Sequence, residues 1–277
     1  MEIVSWNIQW GRGADGRVEL KRIADVLRKL NADVICLQEV AVDMRGLAGA
    51  EPEDGVAILR SMLTGYDTVY VAAVDIPDGA GGRMGFGNLT LSRFPLGQVW
   101  RHFLPWPADS ALPAMQRACL EVVVETPSGP LRVLNTHLEY YSERVRLAQA
   151  KRLVALAQEA EALAADPPAG KDGSPAFAPR LRPAAAVLCG DMNCEPGSIA
   201  YHALLHGGAW YDAWPLVADG ASHPPTVGLH GAEWPDRAYC CDYFFASGVA
   251  RAAVRQVRVI DETAASDHQP VVLELRF

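Results

Sequence analysis

The sequence predicts an α/β protein built from two packed mixed β-sheets, with helices on their outer faces. About ten apolar runs have the length of strands, which is more than one open sheet comfortably holds. Helical patterns lie between strand runs, whereas turn-spaced runs in the middle of the chain indicate an antiparallel region. Two sheets packed on each other would bury this many strands within a single domain, residues 1–277.

The first half of the chain begins with a strand and a helix and then becomes rich in strands. Residues 17–30 place leucine and isoleucine at helical spacing with lysine and arginine opposite, which predicts an amphipathic helix against a sheet. The sequence Thr-Pro-Ser-Gly-Pro at 126–130 predicts a hairpin connection. In order, we predict a strand at 2–6, helices at 17–30 and 56–63 around a strand at 33–37, and strands at 68–74, 87–91, 97–103, 117–125 and 131–137.

The second half contains the longest predicted helix, residues 142–165. Ser142 is placed to cap it, and its apolar face runs from Val145 to Leu163. Residues 166–183 hold five prolines and few apolar side chains, which predicts a surface loop. The remaining predicted elements are strands at 184–189, 242–246, 250–260 and 270–277, and a helix at 198–205.

Composition and charge bound the class of protein. Half of the 277 residues are apolar, so the chain can bury a large core. The formal net charge of −8 argues against holding long nucleic acid by bulk electrostatics. We therefore expect weak binding of duplex DNA, and we expect a monomer.

The sequence predicts a cytoplasmic protein. No apolar stretch approaches the roughly 18 residues of a membrane span, and no signal peptide is visible. The six cysteines lie in or beside apolar runs, as reduced core cysteines do. A zinc site made from Cys240, Cys241, His223 and His230 is not favoured because the spacing lacks a CxxC pair.

Polar side chains repeatedly follow the predicted strands. Strand ends are where α/β proteins build their sites. Carboxylates, amides and histidines dominate the set, and such hard oxygen ligands suit Mg²⁺ or Mn²⁺ better than tetrahedral zinc. The residues are Asn7, Glu39, His137, Asp191, Asn193, Asp242, Asp267 and His268.

These residues also carry a resemblance to a known family. The chain resembles, in the right order, the endonuclease/exonuclease/phosphatase superfamily, which includes pancreatic-type deoxyribonuclease, neutral sphingomyelinases and inositol polyphosphate 5-phosphatases. The resemblance extends over residues 3–274. The matching stretches are Trp6-Asn7, Gln38-Glu39, Gly87-Asn88, Leu91-Ser92-Arg93-Phe94-Pro95, Thr136-His137-Leu138, Gly190-Asp191-Met192-Asn193, Asp242-Tyr243 and Ser266-Asp267-His268.

The resemblance implies a four-layer α/β sandwich and a Mg²⁺- or Mn²⁺-dependent phosphoester hydrolase. By matching position, Glu39 would be the principal metal ligand, with Asn7 and Asp267 close to the metal. Asp191 would orient or deprotonate the attacking water, and Asn193 would hold a phosphoryl oxygen. His268 would contact the phosphate, Asp242 would orient that imidazole, and His137 would assist the leaving group. Arg117 and Asn88 would bind substrate, although an ion pair for Arg117 and a turn for Asn88 are equally compatible with the sequence.

Two features bear on the substrate. Cys240-Cys241 stands where the family often has Arg-Ile, so a basic residue is missing near the site. The loops at 104–115 and 207–237 carry Trp106, Trp210, Trp214 and Trp234, which would either meet a base, lipid or sugar or plug the ends of the sandwich.

Three functions remain open from the sequence. The first is a phosphodiesterase with a nuclease-like or sphingomyelinase-like substrate. The second is a phosphomonoesterase acting on a small phosphorylated sugar, inositol or nucleotide. The third, an inactive binding module, would be favoured by loss of a metal or water ligand, but every such position is filled.

Overall fold

Twelve strands and four α-helices make up the part of the chain that the computed structural model describes, residues 1–231, 233 and 235–277. The strands are β1 (Glu2–Asn7), β2 (Val34–Val42), β3 (Asp67–Pro77), β4 (Arg83–Ser92), β5 (Leu96–Phe103), β6 (Ala118–Thr126), β7 (Gly129–His137), β8 (Ala186–Asp191), β9 (Tyr211–Asp212), β10 (Asp242–Ala246), β11 (Val254–Val259) and β12 (Val271–Leu275). The helices are α1 (Leu20–Leu30), α2 (Gly55–Met62), α3 (Glu143–Ala165) and α4 (Ile199–Leu205).

The strands form two six-stranded sheets. The first has the order β11-β12-β1-β2-β4-β3 and the second β5-β6-β7-β8-β10-β9. The pairs β1–β2 and β7–β8 are parallel and the other neighbours are antiparallel, so both sheets are mixed. None of the described helices combines the length and the apolar character that crossing a membrane requires.

Side-chain alternation along the central strands produces four layers. In β1, Ile3 packs between the sheets, whereas Val4 packs on the other face with Leu27 of α1. In β7, Val133 packs between the sheets and Leu134 packs under α3 and α4. Each sheet therefore buries one face against its partner sheet and the other against two helices, which confirms the predicted sandwich.

Several element boundaries differ from the prediction for local reasons. The first helix begins at Leu20 and not at Arg17, because the chain before it turns back to pair Arg12 with Val18. The strand predicted at 33–37 continues to Val42 across a bulge after Leu37. Residues 161–165 at the end of α3 are all exposed, Leu163 among them, so its predicted place on the buried face was wrong.

Buried amides join the two sheets beneath the ends of their strands. Gln38 Nε2 of the first sheet donates to Asn135 Oδ1 of the second at 2.8 Å. Asn135 Nδ2 donates back to the carbonyl oxygens of Leu89 at 3.0 Å and Leu37 at 3.2 Å. This exchange fixes the register of one sheet on the other with directional bonds inside a largely apolar interface.

A cluster of buried charged side chains lies on the outer face of the second sheet, away from the first sheet. Glu121 of β6 accepts hydrogen bonds from Arg182 on both carboxylate oxygens at 2.9 Å, and from Arg132 at 3.2 Å. His102 lies 2.9 Å from the same carboxylate. Burial raises the pKa of Glu121, but these bonds and the two guanidinium charges outweigh it and lower the pKa to about 2. Arg182 thus ties the exposed loop at 166–183 back to the sheet.

We expect Glu121→Gln to lower the free energy of unfolding by about 3–5 kcal/mol at neutral pH, because it leaves buried guanidinium charge uncompensated. The folded-state pKa lies below the ordinary value of 4.5, so this stabilisation is complete above pH 4.5 and is lost as pH falls from 4.5 toward 2. Urea unfolding near pH 7 and near pH 3 should show the difference between wild type and variant shrinking in acid. Glu195→Gln, a half-exposed partner of Arg237 away from this cluster, is the control and should cost about 0–1 kcal/mol.

Candidate active site

Seven of the ten predicted site residues line one open cleft, where strand ends from both sheets meet. β1 and β2 contribute from the first sheet, and β7 and β8 from the second, with His137 and Asp191 directly opposite each other in register. The cleft is lined by Gln9, Trp10, Glu39, Arg117, His137, Tyr140, Tyr141, Asp191, Asn193, Val227, Tyr239, Asp267 and His268.

Asn7 links the carboxylates of the two sheets. Its Nδ2 donates at 3.0 Å to Glu39 Oε1 and at 3.0 Å to Asp191 Oδ2. Its side-chain oxygen faces away and accepts from the backbone N–H of Gln9 at 3.1 Å. In this orientation Asn7 spaces and orients two anionic groups, and the amide nitrogen is the atom that faces them.

The bulge in β2 aims Glu39 into the cleft. Glu39 has a φ of 57°, a left-handed conformation that non-glycine residues rarely adopt. Burial raises the pKa of Glu39 to about 7, with the Asp267 carboxylate adding to the rise against the hydrogen bond from Asn7. A carboxylate of this kind favours binding a cation. The cation's charge offsets both the cost of burying the ionised carboxylate and its repulsion by Asp267.

Asp267 is held by a neighbouring strained turn. Gln9 Nε2 donates to Asp267 Oδ2 at 2.8 Å, and Ser266 Oγ lies 3.2 Å from the other carboxylate oxygen. Gln9 and Trp10 both have positive φ, 43° and 45°, and are followed by Gly11. Burial raises the pKa of Asp267, as it does for Glu39. Two acids that resist ionisation therefore share one region of the cleft.

His268 is a buried cation that faces Asp191. Its Nδ1 lies 2.9 Å from Asp242 Oδ2, and its Nε2 lies 3.7 Å from Asp191 Oδ2. Burial lowers the pKa of His268, but Asp242, Asp191 and Asp267 outweigh burial and hold it well above its usual value. Thr226 Oγ1 donates to Asp242 Oδ2 at 2.6 Å and fixes that carboxylate. The imidazolium presents a positively charged donor to the cleft.

His137, in contrast to His268, carries a neutral ring. Burial, together with the nearby Arg117 charge, lowers the pKa of His137 to about 3, so its ring is neutral at neutral pH. Asn193 Nδ2 donates to the carbonyl of Leu138 at 2.9 Å and to His137 Nε2 at 2.9 Å. The ring proton therefore belongs on Nδ1, which lies 3.9 Å from Glu39 Oε1. In this conformation both amide protons of Asn193 are used within the protein, and its backbone N–H holds Asp191 at 2.8 Å.

The two predicted substrate-binding residues lie at different depths. Arg117 pairs with Glu139, Nε to Oε2 at 3.5 Å, and it also lines the cleft, so its predicted contact with substrate stays a prediction. Asn88 is buried between the sheets, where its Nδ2 donates to the carbonyl of Ala118 at 2.9 Å. It lines a small cavity together with Glu39 and His137. Its role in binding substrate stays a prediction.

Aromatic side chains form the walls of the cleft, but they are not the tryptophans that the loops suggested. Trp210 is fully buried and donates to the carbonyl of Leu153, so it plugs the second sheet's outer layer. Neither Trp106 nor Trp214 lines the cleft, and Trp234 lies outside the described residues. Trp10, Tyr140, Tyr141 and Tyr239 occupy the walls instead.

Comparisons with known proteins agree with this architecture. A structure from Beutenbergia cavernae described as an endonuclease/exonuclease/phosphatase is 27% identical with a TM-score of 0.69, over 100% of this chain and 71% of that one. A mannosyl-6-phosphatase from Bacteroides thetaiotaomicron is 18% identical with a TM-score of 0.69, covering 100% of both chains. The human Nocturnin catalytic domain with a bound sulfate anion is 21% identical with a TM-score of 0.66, over 100% of this chain and 94% of that one.

The identity to the last two is low enough that they show the fold alone. No curated protein sequence gives a significant match. The sequence profile described as "Endonuclease/Exonuclease/phosphatase family" matches residues 4–268, nearly the whole chain. The protein therefore belongs to the endonuclease/exonuclease/phosphatase family, whose members are phosphoester hydrolases and generally depend on a divalent metal.

Proposed function

We propose that the protein is a Mg²⁺- or Mn²⁺-dependent phosphodiester hydrolase that acts on small or locally recognised diesters. The observation that carries this proposal is the arrangement of three carboxylates, Glu39, Asp191 and Asp267, around one cleft floor that also holds the cationic His268. The first and third have raised pKa values. Such a floor needs a cation, and it offers oxygen donors, which Mg²⁺ and Mn²⁺ prefer.

Glu39 and Asp267 are the residues that would hold the metal. The bound ion supplies positive charge for the phosphoryl oxygens. Asn7, predicted as a metal residue, faces Glu39 with its nitrogen, so we assign it to orienting Glu39 and Asp191. Gln9 holds Asp267 in the same way from the other side.

Asp191 is the group we assign to the attacking water. Hydrogen bonds from Asn7 and from the Asn193 backbone fix both of its oxygens, and a positioned carboxylate can accept the water's proton. His268 would donate to a phosphoryl oxygen from Nε2, since Asp242 occupies Nδ1. The neutral His137 lies beside Asp191, Nε2 to Oδ2 at 3.4 Å, and the proton on its Nδ1 is the one that it would donate near the leaving oxygen.

The walls of the cleft favour a diester over a monoester. A monoester dianion needs concentrated positive charge, but among the described residues that line the cleft Arg117 is the only arginine and lysine is absent. Trp10 follows β1 of the first sheet and Tyr140 follows β7 of the second, and both line the cleft, so groups on each side of the phosphorus would meet aromatic surface. A singly charged diester with two organic arms fits this combination.

A hydrolysis panel tests the proposal. Purified protein with Mg²⁺ or Mn²⁺ should cleave bis-p-nitrophenyl phosphate faster than p-nitrophenyl phosphate, and plasmid DNA, RNA and sphingomyelin identify the natural class. Chelator should abolish the activity and added metal should restore it. Preference for the monoester would overturn the diesterase assignment, and activity unchanged by chelator would overturn the metal requirement.

The salt dependence of KM should be weak. Counterion release from duplex DNA requires several lysines or arginines on one face. Most basic residues of the helical segments lie on α1 and α3, in the outer layers of the sandwich. We expect KM for a short oligonucleotide to change little between low and physiological salt, and to change no more than KM for a small diester does. A steep slope for the oligonucleotide alone would indicate a duplex nuclease.

We expect Asp242→Asn to reduce kcat less than His268→Ala does. An asparagine can still accept from the His268 ring and from Thr226, so the imidazole stays oriented, whereas alanine removes the group that contacts the phosphate. The comparison is kcat and KM of the two variants on one diester. Equal losses would mean that the pair acts as a single unit.

A further inference from the structure

A thiol lies beside the His268 ring, at the base of the cleft. Cys241 Sγ is 3.9 Å from His268 Nδ1 and 3.4 Å from Asp242 Oδ2, to which it donates. The side chain is buried, with 1% of the residue exposed.

Three potential ligands of different chemistry converge here. One oxygen of Asp191, the sulfur of Cys241 and one ring nitrogen of His268 all lie within 4.8 Å of one another. Ligand atoms around a tetrahedral zinc ion are roughly 3.5 Å apart, so movements of about 1 Å would complete the geometry. His268 Nε2 is the ring nitrogen that does not bond Asp242, and it already faces Asp191.

This set differs in kind from the carboxylates that would hold Mg²⁺ or Mn²⁺. Glu39 and Asp267 offer only oxygen, which hard cations prefer, whereas sulfur and nitrogen select softer ions such as Zn²⁺ and Cd²⁺. The open cleft above His268 leaves room for water as a fourth ligand. The surrounding Asp242 and Asp267 carboxylates add negative charge, which favours a dication.

We propose that Asp191, Cys241 and His268 bind a thiophilic divalent cation, with Zn²⁺ the physiological candidate, and that this ion blocks hydrolysis. On binding, the Cys241 S–H bond and the His268 Nε2–H bond break, a sulfur–metal bond and a nitrogen–metal bond form, and both protons pass to solvent. The ion then occupies an oxygen of Asp191 and Nε2 of His268, the atoms assigned above to the water and the phosphate. Only the inhibitory half of this inference rests on the proposed function.

Cysteine-to-metal charge-transfer absorption tests the binding half without any substrate. Metal-free protein titrated with Cd²⁺ should develop the thiolate–Cd²⁺ band with one equivalent of metal, and Zn²⁺ should displace it. Cys241→Ser keeps a donor to Asp242 but should lose the band and bind Zn²⁺ at least about tenfold more weakly. Cys240→Ser is the matched control, because the neighbouring sulfur packs beneath α4 with Tyr243 and Phe245 and should leave the band intact. Cys241→Ala serves as a second variant, and circular dichroism verifies the fold of each.

Inhibition is then measured on the Mg²⁺-supported enzyme. The Zn²⁺ concentration that halves the rate should rise at least about tenfold in Cys241→Ser relative to its own uninhibited rate, and stay at the wild-type value in Cys240→Ser. An unchanged band and unchanged Zn²⁺ affinity in both Cys241 variants would overturn the site. A protein that shows the band but hydrolyses no ester would instead overturn the proposed function and leave the metal site standing.

Discussion

Asp191→Asn should lower kcat by about 10²–10⁴-fold, the contribution typical of a positioned base, while KM and metal affinity stay near their wild-type values. The asparagine keeps an oxygen for the Asn193 backbone N–H but can no longer accept the proton of the attacking water. Asn7 would then face an amide group where it now faces a carboxylate oxygen. The measurement is steady-state kinetics on bis-p-nitrophenyl phosphate with saturating Mg²⁺ or Mn²⁺.

The control for this substitution is Asp236→Asn, an exposed acid outside the cleft, which should change neither constant. A loss confined to KM would contradict the role of Asp191 as the water's base. It would place the residue among the groups that hold substrate.

Glu39→Gln should weaken Mg²⁺ binding at least about tenfold, because a charged oxygen ligand becomes neutral at constant volume. The same change should stabilise the metal-free protein. The folded-state pKa is raised from 4.5 to about 7, so ionising Glu39 costs folding free energy as pH rises through that window. Above pH 7 the variant should gain on the order of 2–3 kcal/mol in unfolding free energy.

Calorimetric titration with Mg²⁺ and urea unfolding of the chelated protein near pH 8 measure the two effects. Glu51→Gln, an exposed acid in the loop after β2, is the matched control and should alter neither. Unchanged Mg²⁺ affinity in Glu39→Gln would exclude this residue as a ligand.

The sequence predicted the sandwich and the strand-end residues because both depend on local pattern. Alternation assigns each strand two faces, and the polar residue that ends an apolar run falls at the sheet edge. Asp191 and His137 lie opposite each other because β7 and β8 are parallel neighbours in the second sheet. The pattern of apolar runs does not show which strands are neighbours.

Features that depend on irregular backbone could not be predicted. The turn at Gln9-Trp10 has positive φ without glycine at either position, so no turn signal marks it. Thr226 lies in a long irregular stretch and reaches Asp242 only through the tertiary fold. The bulge that aims Glu39 interrupts a strand pattern that looks complete at Leu37. All three features lie in or beside the cleft. Irregular backbone is common at functional sites, where side chains must be held in positions that regular strands and helices do not provide.

The bonds between Gln38 and Asn135 determine more than the packing of the core. The site takes Asn7 and Glu39 from one sheet and His137 and Asp191 from the other, so any sliding of one sheet over the other would alter the Asn7–Asp191 and Glu39–His137 distances. Apolar contacts alone resist such shear weakly, because they are not directional. The amide pair lies one residue before Glu39 and two before His137. Its directional bond therefore opposes sliding of the two sheets and holds the two halves of the candidate site in alignment.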